Sequence, residues 1–182
     1  MNGPILLPYR GIFPRVAASA FVAPSVTLIG DVEIGEEASI WFNCALRGDV
    51  AAIRVGARTN IQDGSIVHTS TGGPTMIGAG VTVGHLCLIH ACTLDDACLV
   101  GMGAIVMDHA HVETGGWVGA GALVTDNKHV KAGELWLGRP AKFARAVNDA
   151  ERERITGLAA RYVGRGKEYR AALGYDPERT LA

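Results

Sequence analysis

Three histidines, His68, His85 and His90, carry the strongest chemical signal in this 182-residue sequence. Imidazole is a common ligand for zinc, ferrous iron and cobalt, and three neutral ring nitrogens leave a fourth coordination position open for water. That is the donor set of a catalytic metal centre. A single outward histidine is usually only a solvated residue, so the reading depends on whether the chain brings these three into register.

The element that must position them is a repeat of period six. Aliphatic residues recur at Val22, Leu28, Ile34, Ile40 and Leu46, then at Val55, Ile61 and Val67, then at Ile77, Val83 and Ile89. After one five-residue step they resume at Leu94, Val100, Val106, Val112, Val118 and Val124. Glycine often follows, as at Gly35, Gly56, Gly78, Gly84, Gly101 and Gly119. Six fits neither an amphipathic helix nor a hairpin array, but it suits short parallel strands separated by corners, with one aliphatic side chain per strand pointing inward. Three strands make one triangular coil, and the repeat covers about residues 21–140.

If every third hexad returns to the same face, three columns result: Leu46, Val67 and Ile89; Ile34, Val55 and Ile77; Ile40, Ile61 and Val83. Residues next to an inward side chain point outward, so Arg47, His68 and His90 should rise from one face on successive coils. His68 and His90 lie 22 residues apart, one 18-residue coil plus a four-residue insertion. That insertion produces TSTGGPT, a Gly and Pro loop able to leave the coil without disturbing its stacking. His85 belongs to the Ile40 column and hence to another face. A threefold assembly, in which the Leu46 face of one copy meets the Ile40 face of the next, would bring all three histidines to one ion. His109, His111 and His129 fall outside these positions and read as surface residues.

After residue 140 the composition turns charged and alanine-rich. Asn148 and Glu151 form a capping-box pattern, and Ile155, Leu158, Ala159 and Tyr162 follow at helical spacing, predicting a helix over about 149–173. Its apolar stripe should pack on an outer face of the coil, in its own subunit or a neighbour's. The chain as a whole, 1–182, reads as one domain, with 141–182 as a C-terminal extension. Seventeen basic and 18 acidic residues leave a net charge of −1, which offers no field for nucleic acid or anionic lipid. No stretch approaches about 18 uninterrupted apolar residues, so no membrane span is expected. No secretory signal is read in MNGPILLPYRG. A cytoplasmic location is expected. Cys44, Cys87, Cys92 and Cys98 show no C-x-x-C pairing and read as buried small hydrophobes, Cys44 and Cys87 filling the core with Ser65 between them.

The segments FVAPSVTLIGDVEIG, SIWFNCALRGD, TNIQDGSIVH, VGHLCLIHACTL and VGMGAIVMD resemble the γ-class carbonic anhydrase family over nearly the whole chain. The resemblance implies a left-handed parallel β-helix of hexapeptide repeats, a homotrimer, and reversible hydration of carbon dioxide to bicarbonate by a metal-bound hydroxide. It also implies that His68 and His90 of one subunit and His85 of its neighbour hold zinc, with ferrous iron or cobalt as other occupants. Arg47, Asp49 and Asp63 would form an ion-pair network at the subunit interface. Gln62 would stand beside the reacting water and Asn60 help to hold substrate or bicarbonate. Tyr162 would either lean over the neighbouring site or belong to the packing stripe.

The sequence departs from the family at two places. Better-characterised members carry an acidic residue directly after the RGD triplet and a glutamate on an extended loop after the first histidine. Here the first is Val50, and TSTGGPT holds no acid, so export of the reaction's proton lacks its obvious carrier and turnover should be slow. The alternatives are another hydrolytic use of the same metal, such as thioester cleavage, a hexapeptide acyltransferase using a single histidine base, and a trimeric scaffold that keeps its metal for assembly.

Overall fold

The computed structural model describes residues 3–174; residues 175–182 of the proposed extension lie outside the described residues. Short strands stack in three flat faces around one apolar core, and every strand pair along the coils is parallel. The register pairs Leu46 with Val67 and Val67 with Ile89 on the first face. Ile34, Val55 and Ile77 align on the second, and Ile40, Ile61 and Val83 on the third. These columns are the ones the period of six predicts, and their side chains are almost wholly buried, Leu46, Val67, Ile89, Ile40, Ile61 and Val83 completely so.

Stacked coils leave little room at the corners. A Cβ on Gly56 would come within 2.5 Å of the Gly78 carbonyl, which is why the repeat demands glycine there. The corner before His90 is occupied by Gly64 in one coil and Leu86 in the next, both at positive φ. The loop over 69–74 leaves the coil at a single corner: Ser70 and Gly73 bridge across it, and the Thr75 hydroxyl donates to the His68 carbonyl at 2.5 Å.

The third face is closed at its far end by an antiparallel strand, Lys142–Ala146, and covered by helix α1, Asp149–Leu173. The Asn148 side chain accepts from the Glu151 N–H while the Glu151 carboxylate accepts from the Asn148 N–H, satisfying two donors that a helix start otherwise leaves open. Gly174 ends the helix in a left-handed conformation. α1 buries Ile155, Ala159, Tyr162 and Gly166 against the coils of its own chain. Tyr162 meets the Trp41 ring edge to face, centroids 5.3 Å apart, and Tyr169 and Phe21 complete an aromatic cluster around Trp41. The four cysteines are buried, and the thiols of Cys44, Cys87 and Cys98 are directed at backbone carbonyl oxygen. No helix among the described residues is long and apolar enough to cross a membrane.

Candidate metal centre

The parallel register of the first face places Arg47, His68 and His90 directly above one another. The two imidazoles approach so that His68 Nδ1 lies 3.1 Å from His90 Nε2. The remote nitrogen of each ring is held by a carboxylate: His68 Nε2 lies 3.0 Å from Asp49 Oδ1, and His90 Nδ1 lies 2.5 Å from Asp108 Oδ1. An ionised carboxylate only accepts, so each remote nitrogen is an N–H donor and each facing nitrogen is left with its lone pair. Two lone pairs at this distance repel unless a cation or a shared proton lies between them. Two nitrogens on one tetrahedral ion at about 2.0–2.1 Å would stand about 3.3 Å apart. The donors fit a metal of that class, and carboxylates behind the rings are the usual support of metal-binding histidines.

Asp49 is also bound by Arg47, Nη1 to Oδ2 at 2.5 Å. Burial pushes the Asp49 carboxyl upward, but the hydrogen bonds from Arg47 and His68 outweigh it and hold the group below the usual carboxylate range. The hydrogen bond from His90, aided by one from Ser70, does the same for Asp108 against its burial.

His85 sits at the corner that ends its strand on the third face. Its Nδ1 lies 3.0 Å from Asp63 Oδ2, and the Leu86 N–H donates to the Asp63 carbonyl, so one residue fixes both the ring and its turn. Asp63 is therefore joined to His85 within the chain, while Arg47 and Asp49 pair on the first face. Beside His85 on the third face, Gln62 and Asn60 point outward into the layer that α1 covers. Asn60 is fully buried: its amide donates to the Thr82 hydroxyl at 2.8 Å and its oxygen accepts from the Gln62 amide at 3.0 Å. A groove of about 330 Å³ runs between α1 and this face, with Gln62, His85 and Tyr162 at its polar part and Leu99, Trp117 and Leu158 among its apolar walls. Tyr162 thus serves the packing stripe and lines the groove, and burial raises its phenol above the ordinary value.

Within the single chain, no three His, Cys, Asp or Glu side chains among the described residues form a metal-binding group. His68 and His90 are brought together; His85 lies on another face. Outside this region His111 and His129 stack with centroids 4.9 Å apart, each paired to a carboxylate, Asp95 and Glu113. Sequence reasoning missed Asp108. Its signal was present: it lies 18 residues after His90, one coil on, inside the VGMGAIVMD segment.

No family model matches the chain. A carbonic anhydrase of Geobacillus kaustophilus is 49% identical over 92% of this chain and 92% of its own length. Gamma carbonic anhydrase 2, a mitochondrial protein of Arabidopsis thaliana, is 49% identical over 82% of this chain, which spans 56% of that relative. Among solved structures, a hexapeptide transferase family protein from Anaplasma phagocytophilum superposes with a TM-score of 0.88 at 50% identity, covering 91% of this chain and 98% of that one. These relatives and the stacked parallel coils agree on a left-handed β-helix of hexapeptide repeats. With this fold and with near-full-length identity of this order, the chain belongs to the γ-class carbonic anhydrase family.

Proposed function

We propose that the protein is a metal-dependent carbonic anhydrase, interconverting carbon dioxide and bicarbonate at centres shared between copies of a homotrimer, and that residues 1–182 act as one domain in the cytoplasm. The observation that carries this reading is the pair of lone-pair nitrogens on His68 and His90, 3.1 Å apart and each backed by an aspartate. Zinc suits such donors, as do ferrous iron and cobalt. When bound, an ion of this kind brings the pKa of a coordinated water to near 7 and so supplies a nucleophile at neutral pH. His68 and His90 would hold it from one copy and His85 from the next.

The first face supports a second copy. Beside the histidines its outward positions form an apolar stripe, Ala45, Ile66, Leu88, Ile105 and Leu123 in register, with Ile66 41% exposed. Leu86, 72% exposed, stands next to His85 at the corner of the third face. Apolar surface of this kind around both halves of an incomplete donor set is what a closed threefold assembly covers.

The remaining groups divide the work. Asn60 fixes the Gln62 amide, which hydrogen-bonds the reacting oxygen and directs it toward carbon dioxide. The apolar walls of the groove admit carbon dioxide and exclude bulk water. Asp49 and Asp63 position His68 and His85, and Arg47, half-exposed, holds Asp49. Stopped-flow carbon dioxide hydration on protein loaded separately with zinc and with ferrous iron tests the proposal. Hydration that disappears on chelation and in His90→Ala is expected. A fully loaded trimer that hydrates nothing would reject the activity and favour thioester hydrolysis or a scaffold role.

A further inference from the structure

We infer that Asp108 is the positioning residue for His90, fixing its ring so that it faces His68; this rests on the metal-centre reading above. Asp108 Oδ1 lies 2.5 Å from His90 Nδ1, and the loop after His68 packs against the neighbouring residue, with the Gly73 Cβ position 3.3 Å from the His109 ring. Ser70 begins the only segment that leaves the coil between the two histidines. It bridges to Gly73, and a Cβ on Gly73 would meet the Ser70 hydroxyl and the Ala91 side chain, so the loop lies closely against the corner that follows His90. At the near end of the loop Thr75 grips the His68 carbonyl. One carboxylate, contributed by the next coil, therefore holds the ring of the second histidine beside the loop that follows the first.

Two consequences follow for the donors. The carboxylate selects the His90 tautomer that leaves Nε2 unprotonated, and it holds the ring in the plane that faces His68 Nδ1. It also makes the His90 imidazole a stronger electron donor. A side chain acting in this way changes how well an ion is held and how its ligand field looks, and leaves the packed core unchanged, because Asp108 is only partly buried.

The test uses the full-length trimer stripped of metal, with zinc affinity read by competition against a chromophoric chelator and the ligand field read from the visible spectrum of the cobalt-loaded protein. Asp108→Ala should weaken zinc binding about 10–100-fold and shift the cobalt bands. Asp108→Asn keeps an accepting oxygen without the charge, so it should fall between Asp108→Ala and the parent, and it carries the test if the alanine variant does not fold. Unchanged affinity and an unchanged cobalt spectrum in the Asp108 variants, in a background where the parent protein loads fully, would overturn this role alone. A loss of affinity accompanied by an equal loss of metal-free thermal stability and no spectral change would also overturn it, as that marks a merely structural carboxylate. Failure of the parent protein to bind either ion would overturn the metal-centre reading itself.

Discussion

At the scale of single residues, the chemistry is held by groups that fix other groups. Asn60 is fully buried and spends its hydrogen bonds on Thr82 and on the Gln62 amide. Gln62→Ala and Asn60→Ala should each lower hydration turnover, the first by roughly 10–1,000-fold, and each should also lower thermal stability because each leaves a buried partner of the pair unpaired. Val50 is 51% exposed beside Asp49, where the better-characterised members of the family carry an acid. Turnover should rise with the concentration of an imidazole buffer, and Val50→Glu should raise it at low buffer; a rate indifferent to both would show that proton export does not limit the enzyme. The thiols are a contrasting case. Burial pushes Cys87 up to about 11 and Cys44, Cys92 and Cys98 up to about 12, so at pH 8 almost none is thiolate. Ellman's reagent should find no reactive thiol in the native protein and all four after unfolding.

At the scale of elements, the coil and the helix are stabilised by different means. Gly56→Ala would drive a Cβ to within 2.5 Å of the next coil's backbone, and overpacking of this sort costs about 1–3 kcal/mol. A melting curve that does not shift would contradict the close stacking. At the helix start, the hydrogen bond from Arg145 and that from the Asn148 N–H hold the Glu151 carboxyl down to about 2, against 4.5 for a free glutamate. A depressed folded-state pKa contributes stability that is complete above 4.5 and is lost as pH falls through about 2. Circular dichroism melts should thus show Glu151→Gln less stable than the parent at neutral pH, with the difference shrinking as pH falls from 4.5 toward about 2.

How much of this was legible in the sequence also differs by element. The period of six identified the inward columns residue by residue, because a repeat that stacks on itself repeats its constraints in the chain. The capping box was readable at Asn148 and Glu151 for the same local reason. The face that α1 covers was not, since the apolar stripe of Ile155, Ala159 and Tyr162 matches any flat apolar surface; the aromatic cluster around Trp41 decides it. Asp108 escaped notice because the need for it depends on which nitrogen of His90 is turned away from His68. That is a matter of side-chain rotation, which spacing does not encode.

At the scale of the whole molecule, the chain alone should be an unfinished enzyme. His68 and His90 face outward from one side and His85 from another, with exposed apolar residues at both places. Removing metal should loosen the trimer as well as abolish turnover, and sedimentation of the metal-free protein at falling concentration would show it. The most direct measurement of the central claim is complementation. His68→Ala and His85→Ala chains, each inactive alone, are unfolded together, refolded with zinc and assayed for carbon dioxide hydration. Random assembly at equal amounts should restore roughly a quarter of the sites, because an interface is complete when the His85→Ala chain supplies His68 and His90 and its neighbour supplies His85. If the mixed trimers form and load no more metal than either variant alone, the centre is not shared between copies and the account is contradicted.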